Sequence, residues 1–265
     1  MSETGDVFAL MYHEVTDDPA GTGLQRPGAR PYTISCGAFR EHLHRIAASG
    51  LTPERVDTVA PRHNGRRLML TFDDGGLSAR DVAERLHARG WPAHFFIVTA
   101  WIGRRRFLDA AAIREIRSLG HLVGSHSHTH PDIFRGLSRA RMLAEWRASR
   151  DTLGDVLGEP CGAASVPGGD SSRIVFETAA EAGYRFLFTS EPWRHPRQAG
   201  TCRVFGRLTV KRHMSAARIA GYLAGNGWGW ALLQRRAKDV LRRGLGPLYR
   251  DYVRHTTRPW RGSPA

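Results

Sequence analysis

Apolar residues along the chain occur either in short clustered runs or at helical spacing. The short runs are rich in β-branched and aromatic residues and predict strands at residues 7–13, 68–72, 94–99, 122–125, 163–166 and 184–189. Between them, apolar residues three and four positions apart predict helices at residues 79–88, 110–119, 138–157, 172–182 and 215–224. This alternation predicts an α/β fold with a parallel sheet wrapped by helices.

Polar side chains with catalytic potential follow the predicted strands. His13, Asp73, Asp74 and His126 each stand at or just past a strand end. In a barrel of βα units, the carboxyl ends of the strands gather such residues from distant segments into one site. We therefore expect a (β/α) barrel rather than an open sheet.

Composition limits the class of protein and its partners. The 265 residues are 41% hydrophobic, which suits a single domain with a sizeable core. No basic and apolar leader of signal-peptide length and no bilayer-length apolar run are apparent, and Cys36, Cys161 and Cys202 form no CxxC pair. We therefore expect a cytoplasmic protein. The net charge of +14 favours anionic partners such as phosphates, nucleic acid or an acidic membrane face.

Two short segments carry most of the predicted chemistry. Adjacent carboxylates, Asp73 and Asp74, end an apolar run, and both can face one ion only if the chain turns there, which Gly75 makes plausible. His126 and His130, four residues apart, are predicted to share one face of a helical turn, with His128 pointing away. One carboxylate and two imidazoles suit zinc or another borderline divalent ion.

Each feature also has a simpler interpretation. An Asp-Asp-Gly triplet alone is typical of a solvated turn, and a histidine cluster alone is typical of polar surface. Their combination in one chain favours a metal site. His13 can either line the same pocket or be a satisfied core histidine, and the sequence leaves both open.

At this point the residues resemble a known family. Residues 70–75 and 126–130 are similar, in order and separation, to the first two motifs of the polysaccharide deacetylases, the family 4 carbohydrate esterases that include nodulation-type chitooligosaccharide deacetylases. The similarity runs from about Phe8 to about Met214. It implies a distorted (β/α) barrel with about seven parallel strands, which we place at residues 1–228, followed by an extension at residues 229–265.

The resemblance also implies roles for individual residues. Asp74, His126 and His130 match the metal ligands, and Asp73 matches the base that takes a proton from metal-bound water. The metal implied is one divalent ion, zinc first, with Co²⁺, Ni²⁺ and Mn²⁺ as alternatives. The activity implied is N-deacetylation of an amino sugar in a polysaccharide or in its lipid- or nucleotide-linked precursor. Residues expected near the substrate are Pro167, Gly169 and Trp193, the last either as a wall for the acetyl methyl group or as loop packing.

The chain departs from the family pattern in two places. The family carries an arginine that orients the catalytic aspartate, where this chain has Ser165, so we expect Asp73 to titrate differently. The family's late histidine, the general acid, has no clear match. His213 is the nearest candidate by order, and His13 is the other.

These departures leave alternative functions open. One is a deformylase or an O-deacetylase acting on a lipid-linked sugar. Another is a catalytically silent glycan- or nucleic-acid-binding relative. The combination of Asp73 with the three ligands argues against the silent relative, because a binding module needs no base beside a metal, and it makes nucleic acid an unexpected partner.

The C-terminal segment is basic and amphipathic. From Trp230 to Val253, apolar residues recur every three or four positions with arginines between them, which predicts two helices separated near residues 244–247. The pair can pack on the barrel, or it can lie on an anionic membrane. The second option predicts a protein held peripherally at the inner face of the membrane.

Overall fold

A computed structural model describes residues 5–23, 25, 27–58, 65–169 and 171–244 of the chain. The strands are β1 (Val7–Tyr12), β2 (Glu14–Val15), β3 (Thr33–Ile34), β4 (Arg67–Phe72), β5 (His94–Ile97), β6 (Leu122–Ser125), β7 (Ala163–Ser165), β8 (Phe186–Phe188), β9 (Arg197–Ala199), β10 (Cys202–Phe205) and β11 (Leu208–Thr209). The helices are α1 (Cys36–Ala48), α2 (Ser78–His87), α3 (Ala110–Ser118), α4 (Arg139–Leu157), α5 (Arg173–Glu181), α6 (Ala216–Leu223) and α7 (Trp228–Gly244).

One nine-stranded sheet organises the molecule. Its order is β11-β1-β4-β5-β6-β7-β8-β10-β9, and every pairing is parallel except that of β9 with β10. β2 and β3 form a separate parallel pair. The predicted α/β fold with a parallel sheet is confirmed, with nine strands in the sheet rather than about seven. All carboxyl ends of the parallel strands therefore meet at one end, where the predicted site residues follow β1, β4 and β6.

Both faces of the sheet are buried. Along β1, Val7 and Ala9 join an apolar cluster inside the curved sheet, while Phe8, Leu10 and Tyr12 join the larger cluster under the helices. Because neither face meets water, such a strand reads as a continuous apolar run rather than an alternating one. This explains why the central strands were visible in the sequence.

The differences from the predicted elements lie where the apolar signal is weak. Helix α1 was not predicted, because its buried positions, which include His42 as well as Phe39 and Ile46, are interleaved with arginine and histidine. Its start is fixed by Ser35, whose side chain accepts the Ala38 N–H. Strands β2, β3 and β9 to β11 have only two to four residues each. Strands this short are too brief to show a period.

The C-terminal segment begins with a single long helix. Helix α7 starts at Trp228, next to the predicted boundary of the extension, and runs to Gly244. The second predicted helix lies outside the described residues. No helix in the described part of the chain combines the length and apolar character needed to cross a membrane.

A buried histidine makes folding stability depend on pH. His94 accepts the Val56 N–H at Nε2 (2.9 Å), so its Nδ1 carries the proton and donates to the Leu70 carbonyl (2.9 Å). Burial lowers the pKa of His94 from 6.5 to about 4. Between pH 4 and 6.5, His94 therefore binds a proton in the unfolded chain but not in the native protein. We therefore expect the His94 contribution to be complete above pH 6.5 and to fall by about 3 kcal/mol as the pH drops to 4.

Denaturant unfolding of the His94→Gln variant between pH 4 and 7 tests this expectation. The slope of unfolding free energy against pH should be shallower than in the wild type, whatever the absolute stability. His44→Gln is the matched control because His44 is exposed on α1. Equal slopes for the wild type and His94→Gln would contradict the prediction.

Candidate metal centre

The turn that follows β4 aims two carboxylates into one pocket. β4 ends at Phe72, and the Asp73 N–H donates to the Tyr12 carbonyl (3.0 Å), which extends the sheet by one residue. Asp74 then adopts a left-handed conformation (φ 79°), and Gly75 follows in the same region (φ 80°). The required turn therefore begins at Asp74 itself, one residue earlier than expected. A non-glycine residue with this φ is uncommon and marks functional sites.

A buried glutamate supports this turn from behind. Glu14, next to His13, is buried, and its carboxylate accepts the Ser78 hydroxyl (2.5 Å). A Cβ atom on Gly76 would lie 1.9 Å from Glu14 Oε1, so a larger residue at that position would displace the Glu14 carboxylate. The segment after Asp74 therefore packs against Glu14 of β2.

The two ligand histidines converge through a non-helical loop. Ser127 (φ 65°) and His130 (φ 54°) are both left-handed, so the predicted helical turn is wrong. The Glu145 carboxylate of α4 accepts the N–H groups of His128 (3.1 Å) and Thr129 (2.7 Å), and the Ser127 hydroxyl accepts the His130 N–H (3.1 Å). These bonds fold the loop back so that the rings of His126 and His130 lie 5.0 Å apart.

Three donor atoms face one another at this point. Asp74 Oδ1 lies 3.4 Å from His126 Nε2 and 3.7 Å from His130 Nε2, and one ligand atom from each residue falls within 4.8 Å of the others. Two ligands about 2.1 Å from one zinc ion in tetrahedral geometry are about 3.4 Å apart, so the spacing fits a zinc-sized ion. His128 is turned away, with its Nδ1 2.9 Å from the Thr99 hydroxyl.

Ser165 fixes the orientation of one ligand. His126 Nδ1 lies 2.5 Å from the Ser165 hydroxyl and 3.2 Å from the Ser165 carbonyl, which leaves Nε2 toward the carboxylates. Metal-binding histidines are usually oriented in this way through their second nitrogen. Burial lowers the pKa of His126 to about 3, although the neighbouring Asp73 acts in the opposite direction. The ring is therefore neutral, as a ligand must be.

An arginine from a distant part of the chain holds Asp73. Arg207, two residues after β10, is fully buried and binds both oxygens of the Asp73 carboxylate, Nη1 to Oδ1 at 2.7 Å and Nη2 to Oδ2 at 2.8 Å. Its Nε donates to the Thr189 carbonyl (2.8 Å), and Nη1 also donates to the Thr71 hydroxyl (3.1 Å). Every part of the guanidinium group is thus fixed.

Arg207 explains how the site tolerates a serine at position 165. Burial alone would raise the pKa of Asp73, but the positive charge of Arg207, followed by the influence of His126, lowers it to about 2. The cation that the family pattern places before the proline is thus replaced here by Arg207, which binds Asp73 from a different strand end. Ser165 instead contacts His126 and, at 3.5 Å, Asp73.

The other predicted site residues are distributed around this pocket. His13 packs on the Tyr32 ring (centroids 4.8 Å apart), and its charge bears on the pKa values of Asp73 and His126. His13 Nδ1 is buried, and no described residue offers it a hydrogen bond. His213, by contrast, is exposed in the turn after β11. His13 is therefore the better placed of the two candidate acids.

The predicted substrate contacts lie on the loops after β7 and β8. Pro167 and Gly169 are buried in the loop that follows β7. Trp193 is buried, with the Arg197 guanidinium 4.0 Å above its ring. Its carbonyl approaches Gly206, next to Arg207, where a Cβ atom would lie only 2.4 Å away. Trp193 thus stands beside the arginine that holds Asp73, and its role toward substrate stays a prediction.

The central part of the chain is similar to known polysaccharide deacetylases. Residues 60–187 match the family model described as polysaccharide deacetylase. A chitooligosaccharide deacetylase from a Bradyrhizobium species is 30% identical over 139 residues, which cover 49% of this chain and 60% of that protein. The aligned part is thus less than two thirds of that relative's length.

Solved structures share the fold over most of the chain. A Streptococcus pyogenes deacetylase in complex with acetate superimposes with a TM-score of 0.67 at 19% identity, covering 82% of this chain and 97% of that one. A Bacillus cereus polysaccharide deacetylase gives 0.68 at 19% identity, covering 82% and 69%. The predicted distorted (β/α) barrel is confirmed by these likenesses.

Proposed function

We propose that the chain is a metal-dependent N-deacetylase of the polysaccharide deacetylase family, which hydrolyses the acetamide of an amino sugar. The observation that carries this proposal is the pairing of the ligand set Asp74, His126 and His130 with a second carboxylate, Asp73, held by a buried arginine. A binding protein has no use for such a base next to a metal site.

Asp74, His126 and His130 would hold the ion, and zinc suits their donor atoms best. Bound there, a divalent ion would supply Lewis acidity toward the amide carbonyl and lower the pKa of water to about 7. Ser165 would keep the His126 ring in the orientation that presents Nε2. To bind the ion, both imidazoles would be neutral and the Asp74 carboxyl group would be ionised.

Asp73 and His13 would handle the protons. As water attacks the carbonyl carbon, Asp73 would accept its proton, and Arg207 would keep that carboxylate aimed and ionised until then. The C–N bond then breaks, the amine takes a proton, and acetate leaves. His13 is the proposed donor of that proton, because its buried Nδ1 has no partner in the described part of the chain and its charge bears on Asp73. Trp193 is the proposed wall for the acetyl methyl group.

An arginine triplet beside the site supports a phosphate-bearing substrate, such as a lipid- or nucleotide-linked sugar. Residues 104–106 are three successive arginines, and none has a carboxylate within 4.0 Å among the described residues. Their loop is bonded to the catalytic turn, since the Leu77 N–H donates to the Arg106 carbonyl (3.1 Å). On the other side, Trp101 stacks on His130 with centroids 5.4 Å apart. Unpaired guanidinium groups here would meet a phosphate attached to the sugar.

The activity is tested by measuring acetate and formate release from N-acetylated and N-formylated amino sugars with zinc-loaded protein. We expect acetate release by the wild type and a loss of at least a thousandfold in Asp73→Asn, since the base is removed and the ligands remain. Arg203→Met on β10 is a control that leaves the site intact. Formate release alone would favour a deformylase, and no release despite stoichiometric metal would favour a silent relative.

The substrate class is tested with matched sugars that differ only in a phosphate. In the Arg104→Ala/Arg105→Ala variant, we expect KM for the phosphorylated sugar to rise roughly tenfold and KM for the neutral sugar to stay unchanged, because only charge-assisted contacts are lost. Arg89→Ala, at the opposite end of the sheet after α2, is the matched control. Equal effects on both sugars would contradict a phosphate contact.

We also propose that the protein works in the cytoplasm. All three cysteines, Cys36, Cys161 and Cys202, are free thiols, which supports a reducing compartment. Fractionation of cells expressing the tagged full chain would test this location directly.

A further inference from the structure

Helix α7 carries most of the exposed large apolar side chains in the part of the chain that the structure describes. Among the described residues, five large hydrophobic side chains are exposed, and three belong to α7: Trp230 (60% exposed), Leu233 (56%) and Val240 (70%). The other two, Leu77 and Ile174, lie on separate elements. Spacings of three and seven residues place the α7 side chains on one face of the helix, with exposed Ala237 between them. We call Trp230, Leu233, Ala237 and Val240 the α7 stripe.

The opposite face of α7 is anchored to the protein. Trp228 packs edge-on against Phe8 (centroids 5.5 Å apart), and its indole N–H donates to the Tyr222 carbonyl (2.9 Å). Two turns further on, the Arg235 Nη2 donates to the Gly169 carbonyl (2.7 Å), and Arg235 Nε lies 3.5 Å from Asp239. The helix is therefore held in place with the stripe pointing away from the core.

The same helix is strongly basic. Its sequence from residue 228 to 244 contains five arginines and lysines and one aspartate, a net charge of +4. Arg236 is exposed next to the stripe. An apolar face on a basic helix is complementary to an anionic lipid surface, where the apolar side chains enter the boundary of the acyl chains and the cations meet the headgroups. A protein partner that covered this stripe would need acidic groups around an apolar centre.

The position of α7 relates this surface to the metal centre. Gly169, which Arg235 contacts, lies in the loop at the carboxyl end of β7. Asp73, Asp74 and His126 follow β4 and β6 at that same end of the sheet. The anchored part of α7 therefore reaches the end of the barrel that carries the site.

We propose that the α7 stripe docks the protein onto an anionic lipid bilayer, with the helix lying in the plane of the interface. Docking is peripheral, because the helix enters the headgroup boundary without spanning the membrane. It holds the carboxyl end of the barrel near the membrane surface, at the inner face if the protein is cytoplasmic. The proposal rests on α7 alone, and it stands or falls independently of the deacetylase activity.

Co-sedimentation of the full chain with vesicles tests the proposal. We expect binding to vesicles of equal parts phosphatidylcholine and phosphatidylglycerol, and at least tenfold weaker binding to phosphatidylcholine alone. The Trp230→Ser/Leu233→Ser/Val240→Ser variant should bind the anionic vesicles at least tenfold more weakly. Arg236→Gln should weaken binding about fivefold at low salt and less at high salt. Gln234→Ser, an exposed change on the same helix, should bind as the wild type does.

Circular dichroism melting of each variant distinguishes weaker binding from loss of the fold. Because the α7 stripe is exposed, we expect each variant to remain folded. Failure of the wild type to bind anionic vesicles, or equal binding by the triple variant, would overturn the proposal. Sedimentation velocity without vesicles tests whether a second copy of the chain, rather than a lipid surface, covers the α7 stripe. A wild-type dimer that the triple variant converts to a monomer would assign the stripe to a second copy of the chain and would also overturn the proposal.

Discussion

Replacement of Arg207 by methionine is expected to lower kcat about a hundredfold and to destabilise the fold by about 3–5 kcal/mol. The guanidinium is fully buried and makes both of its close carboxylate bonds to Asp73. Methionine has similar volume but leaves Asp73 as a buried charge without its main partner. It also leaves the Thr189 carbonyl without the donor at Arg207 Nε. Both losses act on the folded state, so activity and stability fall together.

The Arg207→Lys variant separates charge from geometry. Lysine keeps a positive charge but cannot bind both carboxylate oxygens in the planar fork that arginine provides. We expect it to recover part of the stability and to leave kcat about tenfold below the wild type, with KM little changed, because Asp73 would be ionised but poorly aimed. A merely structural arginine would instead give stability loss with kcat unchanged per folded molecule.

Two measurements on the same preparations test these expectations. Denaturant titration gives the free energy of unfolding, and steady-state kinetics gives kcat and KM. Arg203→Met is the matched control, since Arg203 lies on β10 only four residues earlier and stacks over Phe205, 5.2 Å from the ring centroid. Its replacement should change kcat by less than about twofold. Wild-type kcat and stability in Arg207→Met would refute the role assigned to this residue.

Arg207 also shows where prediction from this sequence stops. It lies 134 residues after Asp73, and no local pattern links the two. The family motif directs attention to position 165, where the chain has serine. The available signal was weaker: a cationic residue two positions after the short, partly apolar segment at residues 202–205. That run, β10, is four residues long, and only its parallel pairing with β8 shows that Arg207 stands at the site end of the sheet.

The histidine loop illustrates a different limit. Spacing brought His126 and His130 into one group for a reason that the structure contradicts, because the segment is not helical. The two rings meet because Ser127 and His130 adopt left-handed conformations and because Glu145, from the following helix, binds two N–H groups of the loop. Two residues that are four positions apart can come close in either conformation. Glu145, which fixes the loop, is found only from the tertiary contacts.

The central strands were predictable for a physical reason. A parallel strand buried on both faces must be apolar throughout, and β1 and β4 show such runs in the sequence. The edge strands lack this constraint, and α1 buries only a narrow face. The turn at Asp74 was predicted in part. Gly75 indicated the position of the turn, but the left-handed residue that directs the carboxylate is Asp74. Sequence therefore located the site to within one residue without giving its geometry.

Loss of any one metal ligand is expected to weaken zinc binding at least a hundredfold and to abolish deacetylation. Asp74, His126 and His130 each contribute one donor atom to a set confined within 4.8 Å, so two remaining ligands cannot complete the coordination. Asp74→Asn, His126→Ala and His130→Ala should retain less than stoichiometric zinc after dialysis against a competing chelator, measured by elemental analysis. Ser165→Ala should weaken binding only about 10- to 100-fold, because it orients His126 without touching the ion.

A thermal readout makes this prediction independent of activity. An ion that binds only the native protein raises Tm with its concentration, so added zinc should raise Tm of the wild type and should have little effect on the three ligand variants. His128→Ala is the decisive control, because His128 lies within the same five residues but bonds to Thr99 instead of facing the other ligands. It should keep the zinc-dependent rise in Tm. A zinc effect that disappears in His128→Ala and persists in His126→Ala would assign the ion to a different set of ligands, and with it the role of Asp73 as the neighbouring base would fail.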